Sequence, residues 1–339
     1  MIRRSVLLTL LMILLQSCGF LSTPKPPTID LPPTATPSPI STRSDPATET
    51  PQPTITSTPA PGFERVLIVS FDGLRPDAIA EAKMSNVLSL MQTGAYTFGA
   101  QTIMPSVTLP AHSSMLVGTC PAKHIVRWNQ YVPENGYAIG TDIFDLAHAA
   151  GLRTVLVSGK EKLRQVTEPA STDYFAFVDD TDKINDPFTI EQLAIQQILK
   201  DFNLMLVHFP NGDLKGHDHG WMSYKQIKQY GRDDEAFGYI LETLKNLGLY
   251  EGTLIIVTAD HGGHDTTHGT DILEDMTIPW IISGAGIQSR QLSTYVHITD
   301  TAATAAFALG LTIPPEWDGV PVTEAFGLPV EERDLPVCK

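Results

Sequence analysis

Three cysteines in 339 residues are too few to staple a chain of this length, which excludes a disulfide-built fold. Basic residues are in short supply as well: 23 Lys and Arg stand against 38 Asp and Glu, a formal net charge of −15. A general nucleic-acid binder carries a basic face, so no nucleic-acid binding is expected. The apolar run near the start is too short for a comfortable membrane span. No internal repeat is visible. What the chain does have is 42% hydrophobic residues, enough to bury a large core in one large domain or two.

The first residues, MIRRSVLLTLLMILLQSC, combine two arginines, a short apolar run and small residues before Cys18, the layout of a secretory signal peptide. Leu15, Gln16, Ser17 and Cys18 resemble a bacterial lipobox, with Gln16 an unusual residue at its place. Residues 1–18 are therefore expected to be a signal peptide whose Cys18 is lipidated. The protein would then be extracytoplasmic and held to the bacterial cell membrane as a lipoprotein. Residues 19–61 are dominated by Pro and Thr and lack periodicity, which predicts a solvated spacer. Cys120 and Cys338 remain, and the sequence leaves their pairing open.

Composition changes sharply at Arg65, and residues 62–339 are read as one folded domain. Val66 to Phe71, Asn203 to Phe209 and Thr253 to Ala259 are apolar, β-branched runs that predict buried strands. Arg153 to Ser158 and Ile278 to Ser283 predict two more. Helical spacing covers Asp77 to Gln92, Thr141 to Ala150, Thr189 to Lys200, Asp234 to Leu247 and Thr301 to Leu309. Strands alternating with helices predict a layered α/β domain with a largely parallel central sheet flanked by helices.

Three of these strands release a carboxylate at the carboxyl end, Asp72, Asp213 and Asp260, the edge where open α/β sheets place their sites. The stretch TADHGGHDTTHGTD adds His261, His264 and His268 in a glycine-broken loop. Asp213 and His217 stand four residues apart, which brings both to one face if the segment makes a helical turn. His219 is an alternative ligand, Asp218 a candidate acid behind the ligands, and His264 a residue that stands behind them rather than binding metal. Asp72, Asp213, His217, Asp260, His261 and His268 make six donors, enough for two divalent metal ions with three each. Imidazole mixed with carboxylate favours zinc and does not exclude manganese. Two such cations would make a locally positive site in an acidic protein, suited to an anionic substrate such as a small phosphate ester. Two metals can clamp the attacking and leaving oxygens of an in-line phosphoryl displacement. Ser106, Thr108, Ser113 and Ser114 are the nearby candidate nucleophiles.

At this point a resemblance becomes specific. MPSVTLPAHSSMLVGTCPAKH is similar to the nucleophile segment of the type I phosphodiesterase/nucleotide pyrophosphatase family, a branch of the alkaline phosphatase superfamily. FDGLRPD, DLKGHDHG, ADHG and HGTD resemble its metal motifs, and the likeness covers most of residues 64 to 322. The resemblance implies an alkaline-phosphatase-like fold and a phosphodiester or pyrophosphate hydrolase that works through a phosphothreonine. It selects Thr108 as nucleophile and Asn129 as donor to a non-bridging phosphoryl oxygen. It implies Asp213, His217 and His268 around one metal, and Asp72, Asp260, His261 and the Thr108 oxygen around the other. His112 and His124 fall in its motifs away from ligand positions, and His148, His208 and His297 are read as structural.

One departure concerns specificity: the family commonly has Phe after the nucleophile, packing on a nucleobase, and this chain has Leu109. A sulfatase would need Cys-x-Pro-x-Arg, whereas Cys120 is followed directly by Pro121. A phosphomonoesterase or a phosphonate hydrolase could use the same residues. The rival of another class is a lipid-anchored binding protein that has lost the chemistry.

Overall fold

Five apolar runs buried on both faces line up side by side, as near-continuous Val/Ile/Leu segments do in parallel sheets covered on both sides. In the computed structural model, which describes residues 62–178, 186–330 and 332–338, the strands are β1 (Arg65–Phe71), β2 (Ala95–Gln101), β3 (Thr154–Ser158), β4 (Tyr174–Phe177), β5 (Leu204–Phe209), β6 (Thr253–Thr258), β7 (Thr277–Ser283) and β8 (Arg290–Gln291). They form one eight-stranded sheet in the order β4-β3-β5-β1-β6-β7-β2-β8. Its half from β4 to β6 is wholly parallel, and β7 runs antiparallel to both its neighbours. The largely parallel, layered α/β fold expected from the sequence is what is found.

The helices are α1 (Pro76–Glu81), α2 (Ser85–Thr93), α3 (Thr108–Val117), α4 (Pro121–His124), α5 (Ile143–Ala149), α6 (Pro187–Ile198), α7 (Asn211–His219), α8 (Tyr224–Asn246), α9 (Leu273–Met276) and α10 (Asp300–Ala308). They pack in two groups that flank the sheet, α1, α2, α6, α7 and α8 in one and α3, α4, α5 and α10 in the other. Among the described residues no helix is long and apolar enough to cross a membrane. The signal peptide, the lipobox Cys18 and the spacer of residues 19–61 lie outside the described residues.

Several expected elements change. The helix read over Asp77 to Gln92 is two, broken where Lys83 takes a left-handed φ of 52°. The helix expected from Asp234 begins ten residues earlier, at Tyr224, with the Ser223 side chain accepting the Gln226 N–H at its start. Strands β2, β4 and β8 have no counterpart in the sequence reading. Cys120 and Cys338, left open by the sequence, form a disulfide across 218 residues that ties the C-terminal segment beside the end of α3.

Candidate active site

The carboxyl ends of β1, β5 and β6, the three central strands, converge on one buried cluster. Asp72 follows β1 directly and its backbone N–H donates to Phe209 O at 3.0 Å, so the β1–β5 pairing continues to the ligand itself. Gly73 then turns the chain with a φ of 70°, a conformation that glycine takes without strain. Asp213 lies in the first turn of α7, as the four-residue spacing to His217 requires. Gly212 beside it lets α7 approach α8, since a Cβ there would meet the Tyr230 ring at 1.9 Å. Asp260 follows β6 and accepts the Gly73 N–H at 3.1 Å.

The three candidate histidine ligands share one arrangement. His217 Nδ1 donates to Thr266 O at 3.0 Å, His261 Nδ1 to Gly262 O at 2.8 Å, and His268 Nδ1 to Ser106 O at 2.9 Å. Each bond fixes the tautomer and leaves Nε2 as a lone-pair donor, the orientation that metal-ligating histidines take. The Nε2 atoms of His217 and His268 stand 3.2 Å apart, and lie 3.4 and 3.5 Å from Asp213 Oδ1. Behind them, His261 Nε2 is 3.5 Å from Asp72 Oδ1 and 3.3 Å from Asp260 Oδ2. Asp72 Oδ1, Asp213 Oδ1, Asp260 Oδ2 and His261 Nε2 are all buried without a hydrogen-bond partner. Buried orphans of this kind are costly, and so many acceptors turned toward one another fit divalent cations.

Electrostatics agrees with that fit. Burial and the Asp72 charge push the Asp260 carboxyl up to about 7, a shift a bound cation would reverse. Burial, with His261 beside it, holds His268 down to about 4, and burial also lowers His261, so both imidazoles are neutral and able to ligate. Two groups of ligand atoms come within reach of one ion, Asp213, His217 and His268 in one and Asp72, Asp213 and His261 in the other. The first is the expected triad. In the second, Asp213 joins Asp72 and His261, so this carboxylate lies between the two positions and does not belong to one alone. Asp260 reaches the second position through the oxygen facing His261.

Thr108 is buried at the first position of α3. Its neighbours are engaged elsewhere. Ser106 Oγ donates to Thr270 O, Ser113 Oγ to Leu109 O, and Ser114 Oγ pairs with His124 Nε2. The first turn of α3 offers fewer free amides than its dipole suggests: Pro110 has none, and the Leu109 N–H is taken by Asn129 Oδ1 at 2.9 Å. That bond orients Asn129, with its NH2 left as the donor. Leu109 itself is fully buried in the core and presents no face to a substrate.

Other candidates fall away from the cluster. His264 Nδ1 is held by Asp275 Oδ1 at 2.7 Å, and His219 and Asp218 are exposed on α7 in neither ligand group. His112 bridges Thr108 O and Ser70 Oγ, a structural role. His208 proves closer to the chemistry than expected. Its Nδ1 accepts the Gly159 N–H at 3.2 Å, so Nε2 carries the proton that it donates to Asp72 Oδ2 at 2.8 Å.

Two lysines escaped the sequence reading altogether. Lys160, just beyond β3, places Nζ 2.7 Å from Asp72 Oδ2, 2.6 Å from Asp213 Oδ2 and 3.2 Å from Thr108 Oγ1. Burial alone would lower its pKa, but Asp213 and Asp72 outweigh burial and hold it above the ordinary range. Lys162 Nζ donates to Asn129 Oδ1 at 3.1 Å, and burial together with the Lys160 charge pushes it down to about 8. A lysine following a strand is the only signal that could have found them, and it is a common one.

The strand-end carboxylates, the oriented imidazoles and a threonine at a helix start define a candidate metal-binding site of the alkaline phosphatase superfamily. The chain belongs to the type I phosphodiesterase/nucleotide pyrophosphatase family, whose model matches residues 66–304. It is 28% identical over 299 residues to the human GPI ethanolamine phosphate transferase 2 catalytic subunit, covering 82% of this chain and 30% of that one. It is 25% identical over 213 residues to rat ectonucleotide pyrophosphatase/phosphodiesterase family member 1, covering 58% and 24%. The chain thus spans under a third of the length of these curated relatives. Among solved structures it superposes on the alkaline phosphatase PafA with a TM-score of 0.68 at 14% identity, over 80% of this chain and 100% of that one. The family is metal-dependent, and the donor set here fits that requirement.

Proposed function

We propose that the protein is a two-metal hydrolase that cleaves phosphodiester or pyrophosphate bonds of a small phosphate ester through a phosphothreonine at Thr108. The observation that carries the reading is the convergence of partnerless Asp72, Asp213, Asp260 and His261 atoms beside the buried Thr108 hydroxyl. Asp72, Asp260 and His261 would hold one ion and His217 and His268 the other, with Asp213 facing both and zinc favoured by the donors. Bound there, the ions would supply Lewis-acid stabilisation of the attacking and leaving oxygens.

The chain's own residues do the rest. Thr108 Oγ gives up its proton and forms a bond to phosphorus as the bond to the leaving oxygen breaks, and the leaving oxygen takes up a proton and departs as the first product. The Asn129 NH2, held in place through its own Oδ1, donates to a non-bridging oxygen as charge builds. Water then cleaves the phosphothreonine, returns a proton to Thr108 and releases the phosphorylated product. Ectonucleotide chemistry, named for the rat relative, would need a base-stacking surface other than the core-facing Leu109. The sulfatase reading loses further ground because Cys120, tied in a disulfide, cannot serve as a formylglycine precursor.

The same reading places the domain outside the cytoplasm, anchored through lipid on Cys18. A disulfide suits an oxidising compartment and supports this. Acid quench during turnover of an aryl phosphodiester, followed by mapping of the modified residue, tests the mechanism. Phosphate is expected on Thr108; Thr108→Ala should bind metal yet lose turnover by several orders of magnitude, and Thr108→Ser should keep some. Phosphate on Ser106, Ser113 or Ser114 would overturn the assignment. A purified protein that binds no divalent metal would instead be the inactive binding protein.

A further inference from the structure

Trp221 lies just beyond α7 and takes no part in the scheme above, yet its indole touches each segment that delivers a candidate histidine ligand. Its Nε1 donates to Gly73 O at 3.0 Å, one residue past Asp72. Two glycines leave room for the ring: a Cβ on Gly216, beside His217, would stand 2.8 Å from it, and one on Gly263, two residues past His261, 2.1 Å from it. The ring forms a T with that of His217, centroids 5.2 Å apart and planes at 89°, and lies 5.6 Å from the His268 ring. The Trp221 backbone N–H donates to Asp265 O at 2.6 Å. This holds the next carbonyl, that of Thr266, where His217 Nδ1 uses it.

The two proposed ion positions depend on this indole unequally. At the inner one, Asp72 is fixed by the β1–β5 backbone bond, Lys160 and His208, Asp260 by the Gly73 N–H, and His261 is fully buried. At the outer one the His217 side chain is 45% exposed, and what braces it is the Thr266 carbonyl and the Trp221 ring. We propose that Trp221 is a positioning residue for the outer ion: the indole holds the imidazoles of His217 and His268 in ligating orientation, and so sets the affinity of the outer position while leaving the inner one unaffected. The inference rests on the two-metal reading and adds to it a residue outside the ligand set.

The test titrates metal-free protein with zinc by calorimetry, and with cobalt by tryptophan fluorescence, in wild type, His217→Ala, Trp221→Ala and Trp221→Phe. Wild type should show two zinc-binding events, and the one that His217→Ala removes or weakens is the outer. Trp221→Ala should weaken that event about ten- to a hundred-fold, the usual cost of losing a partner behind a ligand, and leave the other within about three-fold. Trp221→Phe keeps an aromatic face for His217 and loses the bond to Gly73 O, so it should weaken the same event less. Cobalt filling the outer position of wild type should quench Trp221, one of four tryptophans, and His217→Ala should lack that step. Both zinc events weakened alike, or a folded Trp221 variant with unchanged outer affinity, would overturn the proposal. If circular dichroism shows that Trp221→Ala does not fold, Trp221→Phe decides by the same two criteria. A wild type with fewer than two zinc events would instead strike the two-metal reading, so the two failures are told apart.

Discussion

His208 is the residue whose replacement probes the site most cleanly, because it touches a proposed ligand without being one. Its ring spans two neighbouring strand ends, accepting from Gly159 beyond β3 and donating to Asp72 beyond β1. Asp72 is fully buried; burial alone would raise its pKa, yet Lys160 and His208 hold it well below the ordinary range. Removing the imidazole takes away one hydrogen bond to a charged acceptor, worth about 1.5–3 kcal/mol. At about 1.4 kcal/mol per factor of ten, His208→Ala should weaken metal binding roughly ten- to a hundred-fold, the usual cost of losing a partner behind a ligand. His208→Gln is the control, because its amide can still donate to Asp72 although it cannot also accept from Gly159. It should recover most of the affinity. Calorimetric titration of metal-free protein with zinc measures the effect, with circular dichroism to verify that each variant is folded. A folded His208→Ala protein that binds zinc as tightly as wild type would refute the claim that Asp72 is oriented through this ring.

Glu324 gives a stability prediction far from the chemistry. Burial would raise its pKa, but hydrogen bonds from the hydroxyls and N–H groups of Thr294 and Ser293 outweigh burial and hold it at about 2. A folded pKa below the unfolded one stabilises the protein above about pH 4.5, and that contribution is lost as pH falls towards 2. Glu324→Gln should cost roughly 2–3 kcal/mol in urea unfolding at pH 7. The difference should shrink towards zero near pH 2; an equal loss at both pH values would count against it. For the anchor, native protein should partition into detergent, and Cys18→Ser should abolish labelling by a fatty acid; a mature N-terminus elsewhere would refute the lipobox reading.

The candidate ligands are legible in the sequence because the strands that deliver them are. β1, β5 and β6 are mostly apolar, fully buried runs, and the carboxylate follows each at once or within a turn of helix. The elements that escape do so for physical reasons. β2 carries Gly99 and a register shift between Thr97 and Ala100, so its alternation is broken where a reader would look for it. The first half of α8 buries Gln226, Gln229, Asp233 and Asp234 in place of apolar side chains, and a hydrophobic period cannot reveal a polar buried face. Asp234 is there to accept the Asn86 and Val87 N–H groups at the start of α2, a partnership across 148 residues.

Lys160 is hidden for a different reason, and the reason bears on how such sites are read. Its own neighbourhood, Gly159 to Gln165, looks like a charged surface turn, and no local feature separates it from one. It becomes part of the site only because β3 lies beside β5 in the sheet, which brings the end of β3 level with Asp72 and Asp213. Strand order decides this, and strand order is not written in the periodicity of any single segment. The same holds for the tautomers of His217, His261 and His268: their motifs name the residues, but the three carbonyls that turn each Nε2 inward belong to Thr266, Gly262 and Ser106. Two of those carbonyls lie on segments far from, or folded back upon, the histidine they orient. A motif can therefore identify a ligand, while the fold alone determines which atom of it faces the metal and which cations stand opposite.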